Sequence, residues 1–139
     1  MDKKHNFVQL AEVQREQKTL YCGGLDPHSF GEKNWEIYDR HMRRETFDFY
    51  EMLARLSGLL DYRKNRYVTA LSQVEQYTCH VVETLVEECN IRVFKPQAAF
   101  YEQFGPAGCF VLMRVRNFIK QLEKKKGIRL ICLLDCKRG

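Results

Sequence analysis

The feature that most constrains the fold is an alternation of short apolar segments with long helical patterns. Segments 20–25, 91–95 and 129–134 have the length and composition of buried strands. Apolar residues recur at three-and-four spacing over 35–60, 67–89 and 110–122, which is typical of amphipathic helices that pack one face inward. In the first of these helices the predicted inward stripe is Tyr38, Met42, Phe49, Leu53, Leu56 and Leu60. Because strands joined by helical crossovers pair in parallel, the sequence predicts an α/β fold with a parallel sheet.

Helix boundaries are marked by residues with special backbone preferences. Asn90 suits the left-handed position after the second helix, Pro106 suits the first turn of the third, and Gly127 ends that third helix. The basic run 124–126 then lies at a helix C-terminus, where cations oppose the helix dipole. A solvated helix end is therefore favoured over a nucleic-acid surface as the reason for the mild net charge of +5.

The composition, 45% hydrophobic and 29% charged, is that of a soluble globular domain. No segment resembles a membrane span or the apolar centre of a signal peptide, so we expect a cytoplasmic protein without a membrane partner. The six cysteines show neither C-x-x-C pairs nor metal-ligand spacing, which predicts reduced, partly buried thiols and no metal site. They are Cys22, Cys79, Cys89, Cys109, Cys132 and Cys136.

The 139 residues read as one continuous βα series, because the sequence contains no repeat, low-complexity tract or linker. A right-handed βα barrel has eight strands and typically about 250 residues. A chain of this length supplies a little over the first third of such a barrel's strands.

Each predicted strand ends in ionisable residues that share a face with its apolar residues. Side chains alternate along a strand, so parity defines these faces. The sets are Leu20, Cys22, Gly24 and Asp26; Ile91, Val93 and Lys95; and Ile131, Leu133, Asp135 and Lys137. In a parallel barrel these strand ends open on one mouth, where two carboxylates and two ammoniums would perturb one another's pKa values. Spacing and parity alone leave open whether these charges form a catalytic site or solvated structural ion pairs.

Three sequence blocks give the charged strand ends a more specific interpretation. They are CGGLDPH at 22–28, FKPQAAFYEQFG at 94–105 and LDCKRG at 134–139. In order and spacing they resemble the bacterial orotidine 5'-phosphate decarboxylase family, and the middle block is the most diagnostic. The resemblance spans essentially the whole chain, although the helical region between the first two blocks adds little. It implies a (β/α)8 TIM barrel, with only the first three strands and their helices in this chain.

The resemblance also implies a role for each charged residue. Asp26 corresponds to the carboxylate that binds the substrate ribose, and Lys95 to the lysine that holds the charge network and contacts the sugar. Asp135 corresponds to the group beside the departing carboxylate, and Lys137 to the proton donor. The implied reaction converts orotidine 5'-phosphate to uridine 5'-phosphate and carbon dioxide in pyrimidine biosynthesis. It needs no metal or organic cofactor, and the family's enzymes are homodimers.

Two departures from the family pattern carry expectations. Gly23 stands where the family more often has valine, which should loosen the first strand slightly. The family motif continues past Lys-Arg-Gly with another aspartate that reaches the neighbouring subunit's site. We therefore expect residues 1–139 to be the N-terminal part of one decarboxylase barrel domain, truncated within its third-strand catalytic motif. Without the later parts that grip the phosphate, the isolated chain is expected to have little activity.

Three alternatives remain at this stage. A sugar-phosphate decarboxylase or aldolase of the same superfamily would use a similar strand end with magnesium, but would lack the block at 94–105. A non-catalytic interaction protein could have kept the surface of half a barrel. A basic nucleic-acid-binding module would rest on cations that are scattered over separate helices without a recognised motif, so we expect no nucleic-acid partner.

Overall fold

The computed structural model describes residues 6–27, 43–56 and 64–137, and these ranges contain five helices and three strands. In chain order the elements are α1 Asn6–Gln17, β1 Gly23–Leu25, α2 Arg44–Leu56, α3 Lys64–Cys89, β2 Val93–Pro96, α4 Ala98–Glu102, α5 Pro106–Lys126 and β3 Ile131–Cys132. None of the helices within these ranges combines the length and the apolar character needed to cross a bilayer.

The three strands form one sheet in the order β1-β2-β3, and both pairs are parallel. This confirms the predicted α/β class and parallel pairing. Lys95 is in register with Gly24, and Val93 with Ile131. The first and third strands are shorter than predicted. β1 begins only at Gly23, where Phe94 first pairs with it, and Leu20, predicted to lie in a buried strand, is 80% exposed.

The two faces of the sheet pack against different helices. Phe94 and Leu25 belong to the main core, which they share with apolar residues of α3 and α5. The opposite face carries a smaller cluster in which Val13 of α1 packs against Val93 and Ile131. By strand alternation, Lys95 lies on this second face, beyond the end that α1 covers.

Position 23 shows how tightly β1 packs against the main core. A Cβ built on Gly23 would lie 3.1 Å from both Leu85 Cδ1 and Phe94 Cδ1. The absent side chain therefore leaves no void, since the Phe94 ring and Leu85 occupy the space. The loosening of β1 that the sequence predicted has no cavity from which to arise.

The predicted helix ends agree with the backbone, while the predicted face of α2 agrees only in part: Phe49 and Leu53 pack partly buried against the main core. Asn90 and Gly127 have φ of 53° and 63°, and Pro106 begins α5. Of the helix predicted over 35–60, residues 35–42 and 57–60 lie outside the described ranges. Leu56, assigned to the inward stripe, is 78% exposed, and the buried residues of α2 are Thr46, Tyr50 and Ala54. The buried face is shifted toward Tyr50 because its hydroxyl donates to Glu75 of α3.

The short helix α4 was not predicted, because five residues are too few to show a period. The first turn of α5 approaches α4 so closely that position 108 must be glycine, because a Cβ there would lie 1.7 Å from the Tyr101 carbonyl oxygen. The cysteines of the described ranges are free thiols, as expected. Four of them are exposed rather than partly buried: Cys22, Cys89, Cys109 and Cys136.

Candidate functional site

The carboxylate of Asp135 is the centre of a charged network at the end of the sheet. Lys95 Nζ lies 2.8 Å from Asp135 Oδ2, and Lys137 Nζ lies 3.5 Å from the same oxygen. The Lys137 backbone N–H donates to Oδ1 at 3.2 Å. The Asp135 side chain is only 9% exposed, whereas those of Lys95 and Lys137 are 41% and 84% exposed. One nearly buried carboxylate thus holds two accessible ammonium groups.

Backbone pairing past the end of β3 fixes where Asp135 lies. Asp135 pairs with Gln97 in an isolated parallel bridge. Its N–H donates to the Pro96 carbonyl at 2.9 Å, and its own carbonyl accepts from the Ala98 N–H at 2.8 Å. Because partners in register project to the same side of a sheet, Asp135 faces the side of Gln97 and Lys95.

Asp26 joins this arrangement through the same residue of the middle strand. Its Oδ1 accepts a hydrogen bond from the Gln97 N–H at 3.2 Å. The register that pairs Gly24 with Lys95 brings Asp26 level with Gln97, so Asp26, Gln97 and Asp135 lie in one row across the sheet. Asp26 also lies close enough to Lys95 to stabilise its charge. We refer to Asp26, Lys95, Asp135 and Lys137 as the strand-end cluster.

The ionisation of the strand-end cluster follows from these contacts. The hydrogen bond to Asp135 raises the pKa of Lys95, assisted by the charges of Asp135 and Asp26 and opposed by desolvation. The hydrogen bond from Lys95 lowers the pKa of Asp135, and the Lys137 N–H lowers it further. Both partners are therefore charged across the neutral range. A fixed ammonium beside a fixed carboxylate can stabilise negative charge that develops on a ligand.

The four charged residues singled out from the sequence are thus brought to one end of the sheet. Arg138 and Gly139 of the third block, and His28 of the first, lie outside the described ranges. Among the residues that the structure describes, no three His, Cys, Asp or Glu side chains are grouped to hold a metal ion.

Sequence reasoning missed the segment that links the strand ends. Gln97 contributes through its backbone N–H, which any residue except proline could offer, so its identity gave no signal. Tyr101 and Gln103 donate to carbonyl groups on either side of Asp26, those of Leu25 and Pro27. Both residues belong to the quoted block at 94–105, and the block was the one available signal.

A second charged group lies among the helices, and no sequence pattern predicted it. Glu75 Oε2 accepts from the Tyr50 hydroxyl at 2.6 Å and from Arg114 Nε at 2.7 Å. We refer to Tyr50, Glu75 and Arg114 as the helix-layer cluster. It borders a cavity of about 570 Å³ between α2, α3 and α5, and Cys79 and His80 also line that cavity. Its described lining contains none of the strand-end cluster.

Comparison with known proteins finds two curated relatives. The chain is 28% identical over 135 residues to a Myxococcus xanthus protein named orotidine 5'-phosphate decarboxylase, covering 97% of this chain and 32% of that relative. It is 30% identical over 118 residues to a protein of the same name from Nocardioides sp., covering 85% of this chain and 29% of the relative. The chain thus spans about a third of the length of the curated relatives it matches. No family model matches the sequence. No solved structure matches it.

Proposed function

We propose that this chain carries part of the active site of an orotidine 5'-phosphate decarboxylase built on a (β/α)8 barrel. The observation that carries the proposal is the strand-end cluster, in which Asp135 holds Lys95 at 2.8 Å and Lys137 at 3.5 Å. Active sites of parallel barrels are built at the carboxyl ends of their strands. The names of the two relatives support the same reaction.

In the proposed reaction, the bond between the pyrimidine ring carbon and its carboxylate breaks, and its electron pair stays on the ring carbon as carbon dioxide leaves. The Lys137 ammonium stabilises this negative charge and transfers a proton to the carbon. Lys137 then regains a proton from water. Its side chain suits this role, because it is mostly exposed while its backbone N–H is tied to Asp135.

Asp135 and Lys95 act on the charge around the reacting carbon. Asp135 orients the Lys137 ammonium and lies beside the departing carboxylate, which like-charge proximity disfavours in the bound state. Lys95 keeps Asp135 ionised through the 2.8 Å contact that lowers the pKa of the carboxylate. Without Lys95, the negative charge of the substrate carboxylate would raise the pKa of Asp135 and favour its protonation.

Asp26 is proposed to bind the substrate ribose, with Lys95 contacting the same sugar. One Asp26 oxygen accepts from the Gln97 N–H, and a carboxylate can accept further hydrogen bonds from hydroxyl groups. The row formed by Asp26, Gln97 and Asp135 sets the spacing between the sugar and the reacting carboxylate.

Binding of the proposed product tests this assignment without requiring turnover. The purified chain is titrated with uridine 5'-phosphate while backbone amide signals are followed by NMR. We expect shifts centred on Gln97, Asp135 and Lys137, abolished by Asp26→Asn and by Lys95→Met. The matched control Lys124→Met changes an exposed lysine at the far end of α5 and should leave the titration unchanged. Amides of the strand-end cluster that do not respond to the nucleotide would contradict the proposal.

Turnover by this chain alone is expected to be small, because the relatives are about three times as long. Groups that grip the phosphate, and a second subunit of a homodimer, are proposed to supply the rest of the site. Loss of orotidine 5'-phosphate is followed by ultraviolet absorbance. Robust turnover that Lys137→Ala abolishes would show that the strand-end cluster is sufficient, contrary to this expectation.

A further inference from the structure

We infer that Tyr101 is a positioning residue for Asp26, acting through the turn 25–27 that carries the carboxylate. The inference rests on the proposed function for the meaning of Asp26 as a sugar-binding group. The geometry behind it is independent of any ligand, because it consists of hydrogen bonds between residues 97–103 and the turn. We refer to residues 97–103 as the clamp segment.

Three donors of the clamp segment reach three consecutive residues of the turn. The Tyr101 hydroxyl donates to the Leu25 carbonyl at 3.1 Å, and Gln103 Nε2 donates to the Pro27 carbonyl at 3.3 Å. Between them, the Gln97 N–H donates to Asp26 Oδ1 at 3.2 Å. The clamp segment therefore hydrogen-bonds the backbone on both sides of Asp26 as well as the Asp26 carboxylate.

Of these donors, Tyr101 is the one that the core holds rigidly. Its side chain is fully buried in the main core, and Thr78 of α3 also hydrogen-bonds its hydroxyl. Burial raises the pKa of Tyr101, so the phenol keeps the proton that it donates. The Leu25 residue is buried as well, and a buried carbonyl that loses its donor has no water to replace it. Gln103 is exposed and shares its amide with the Phe100 carbonyl, so it holds the turn less firmly.

The clamp segment also carries the backbone that holds Asp135. The Ala98 N–H donates to the Asp135 carbonyl at 2.8 Å, one residue after Gln97. Two adjacent residues of the clamp segment, Gln97 and Ala98, thus hold the Asp26 carboxylate and the Asp135 backbone. Tyr101 thereby fixes the separation between the proposed sugar site and the proposed reaction site without touching the substrate.

The test is amide hydrogen exchange in the nucleotide-free chain, comparing Tyr101→Phe with the unsubstituted protein. We expect exchange of the Gln97 N–H to accelerate about tenfold, the factor that one lost hydrogen bond of ordinary strength supplies. The Ile131 N–H, which donates to the Arg92 carbonyl at 2.8 Å, reports on the rest of the sheet and should change less than twofold. A merely structural role for Tyr101 would accelerate both amides by the same factor and would overturn the inference, as would no acceleration at Gln97.

Tyr67→Phe is the matched control. The Tyr67 hydroxyl donates to the Phe104 carbonyl, just past the clamp segment and away from the turn. This variant loses the same chemical group and should leave Gln97 exchange unchanged; acceleration at Gln97 equal to that of Tyr101→Phe would overturn the inference. If Tyr101→Phe does not fold, Thr78→Val serves instead, because it keeps the side-chain shape and removes the buried hydroxyl that hydrogen-bonds the Tyr101 hydroxyl. Selective acceleration at Gln97 is again the expected result, and its absence overturns the inference.

A second measurement separates this inference from the proposed function. If the chain binds uridine 5'-phosphate, Tyr101→Phe should raise the dissociation constant of the nucleotide several-fold, in the same direction as Asp26→Asn. Selective exchange at Gln97 in a chain that does not bind the nucleotide would leave Tyr101 as a positioning residue and count against the decarboxylase assignment. Nucleotide binding without selective acceleration at Gln97 would overturn the positioning role of Tyr101 and support the decarboxylase assignment.

Discussion

The strand-end cluster and the helix-layer cluster use the same chemistry in two different settings. In each, one carboxylate accepts hydrogen bonds from two groups: Lys95 and the Lys137 backbone at Asp135, and Tyr50 and Arg114 at Glu75. The two carboxylates are similarly shielded, with 9% and 6% of their side chains exposed. What distinguishes the clusters is therefore the surroundings of the partners.

Arg114 beside Glu75 and Lys95 beside Asp135 are similarly exposed, at 34% and 41%, so the clusters differ in their other partners: Tyr50 is buried, whereas the Lys137 side chain is 84% exposed. Tyr50 is fully buried, and the Arg114 guanidinium lies 4.2 Å from the centre of the Phe49 ring. Burial, reinforced by Glu75, raises the pKa of Tyr50 well above its usual range. The hydrogen bonds of the helix-layer cluster thus hold α2, α3 and α5 together. The strand-end cluster leaves its ammonium groups accessible, which is the arrangement that a ligand-binding site requires.

The largest effect should come from removing the charge of the helix-layer cluster. Glu75→Gln keeps the shape of the side chain but weakens the hydrogen bonds at a position that is only 6% exposed, and it leaves the half-buried Arg114 without its counter-charge. We expect the free energy of unfolding to fall by about 2 kcal/mol, the contribution of hydrogen bonds to a shielded charged group. Urea titration followed by circular dichroism measures the loss. A Glu75→Gln variant as stable as the unsubstituted protein would remove the structural role that separates this cluster from the strand-end cluster.

An alkaline pH series should sharpen the contrast, because burial raises the pKa of Cys79, beside the helix-layer cluster, to about 12. Above pH 9 the unfolded chain releases the thiol proton while the folded chain retains it, so stability falls as pH rises toward 12. Cys79→Ser removes this group, and the slope of unfolding free energy against pH should become shallower by about 1.4 kcal/mol per pH unit. Parallel slopes in chemical denaturation between pH 9 and 11 would contradict the assigned burial.

The smallest effect on stability is expected at the strand-end cluster. Asp135→Asn removes a charge whose cationic partners, Lys95 and Lys137, are 41% and 84% exposed, so the folding equilibrium constant should change by less than about fivefold. The same urea titration provides the measurement, with Glu75→Gln as the comparison. Nucleotide binding at the strand ends should be lost in Asp135→Asn and retained in Glu75→Gln. Equal losses of stability in the two variants would mean that both clusters are structural.

The sequence predicted the sheet better than it predicted the helix faces. Alternating segments gave the parallel order, and special backbone preferences gave the helix ends at Asn90 and Gly127, because these are local properties. The inward stripe of α2 was wrong at Leu56, which is exposed, whereas Tyr50 is buried. A pattern of apolar residues does not register a tyrosine that is drawn inward by a distant glutamate.

The strand-end cluster was accessible to sequence reasoning for a similar reason. Parity along three strands placed Asp26, Lys95, Asp135 and Lys137 on one side, since alternation of side chains is a property of every strand. The clamp segment was not accessible, because the Gln97 N–H donates to the Asp26 carboxylate and the Tyr101 hydroxyl to the Leu25 carbonyl, each more than 70 positions earlier. No local pattern encodes a partner at that separation.

Local sequence preferences are enough to set the alternation of strands and helices, the points at which the helices end and the face on which the charged strand ends lie. These follow from chirality, backbone preference and the two-residue period of a strand, which act between near neighbours. The hydrogen bond from Tyr101 to the turn carrying Asp26, and those from Tyr50 and Arg114 to Glu75, arise from the packing of the whole fold. Those contacts join distant segments, and they form because a buried polar group must find a partner wherever the packed helices and strands provide one.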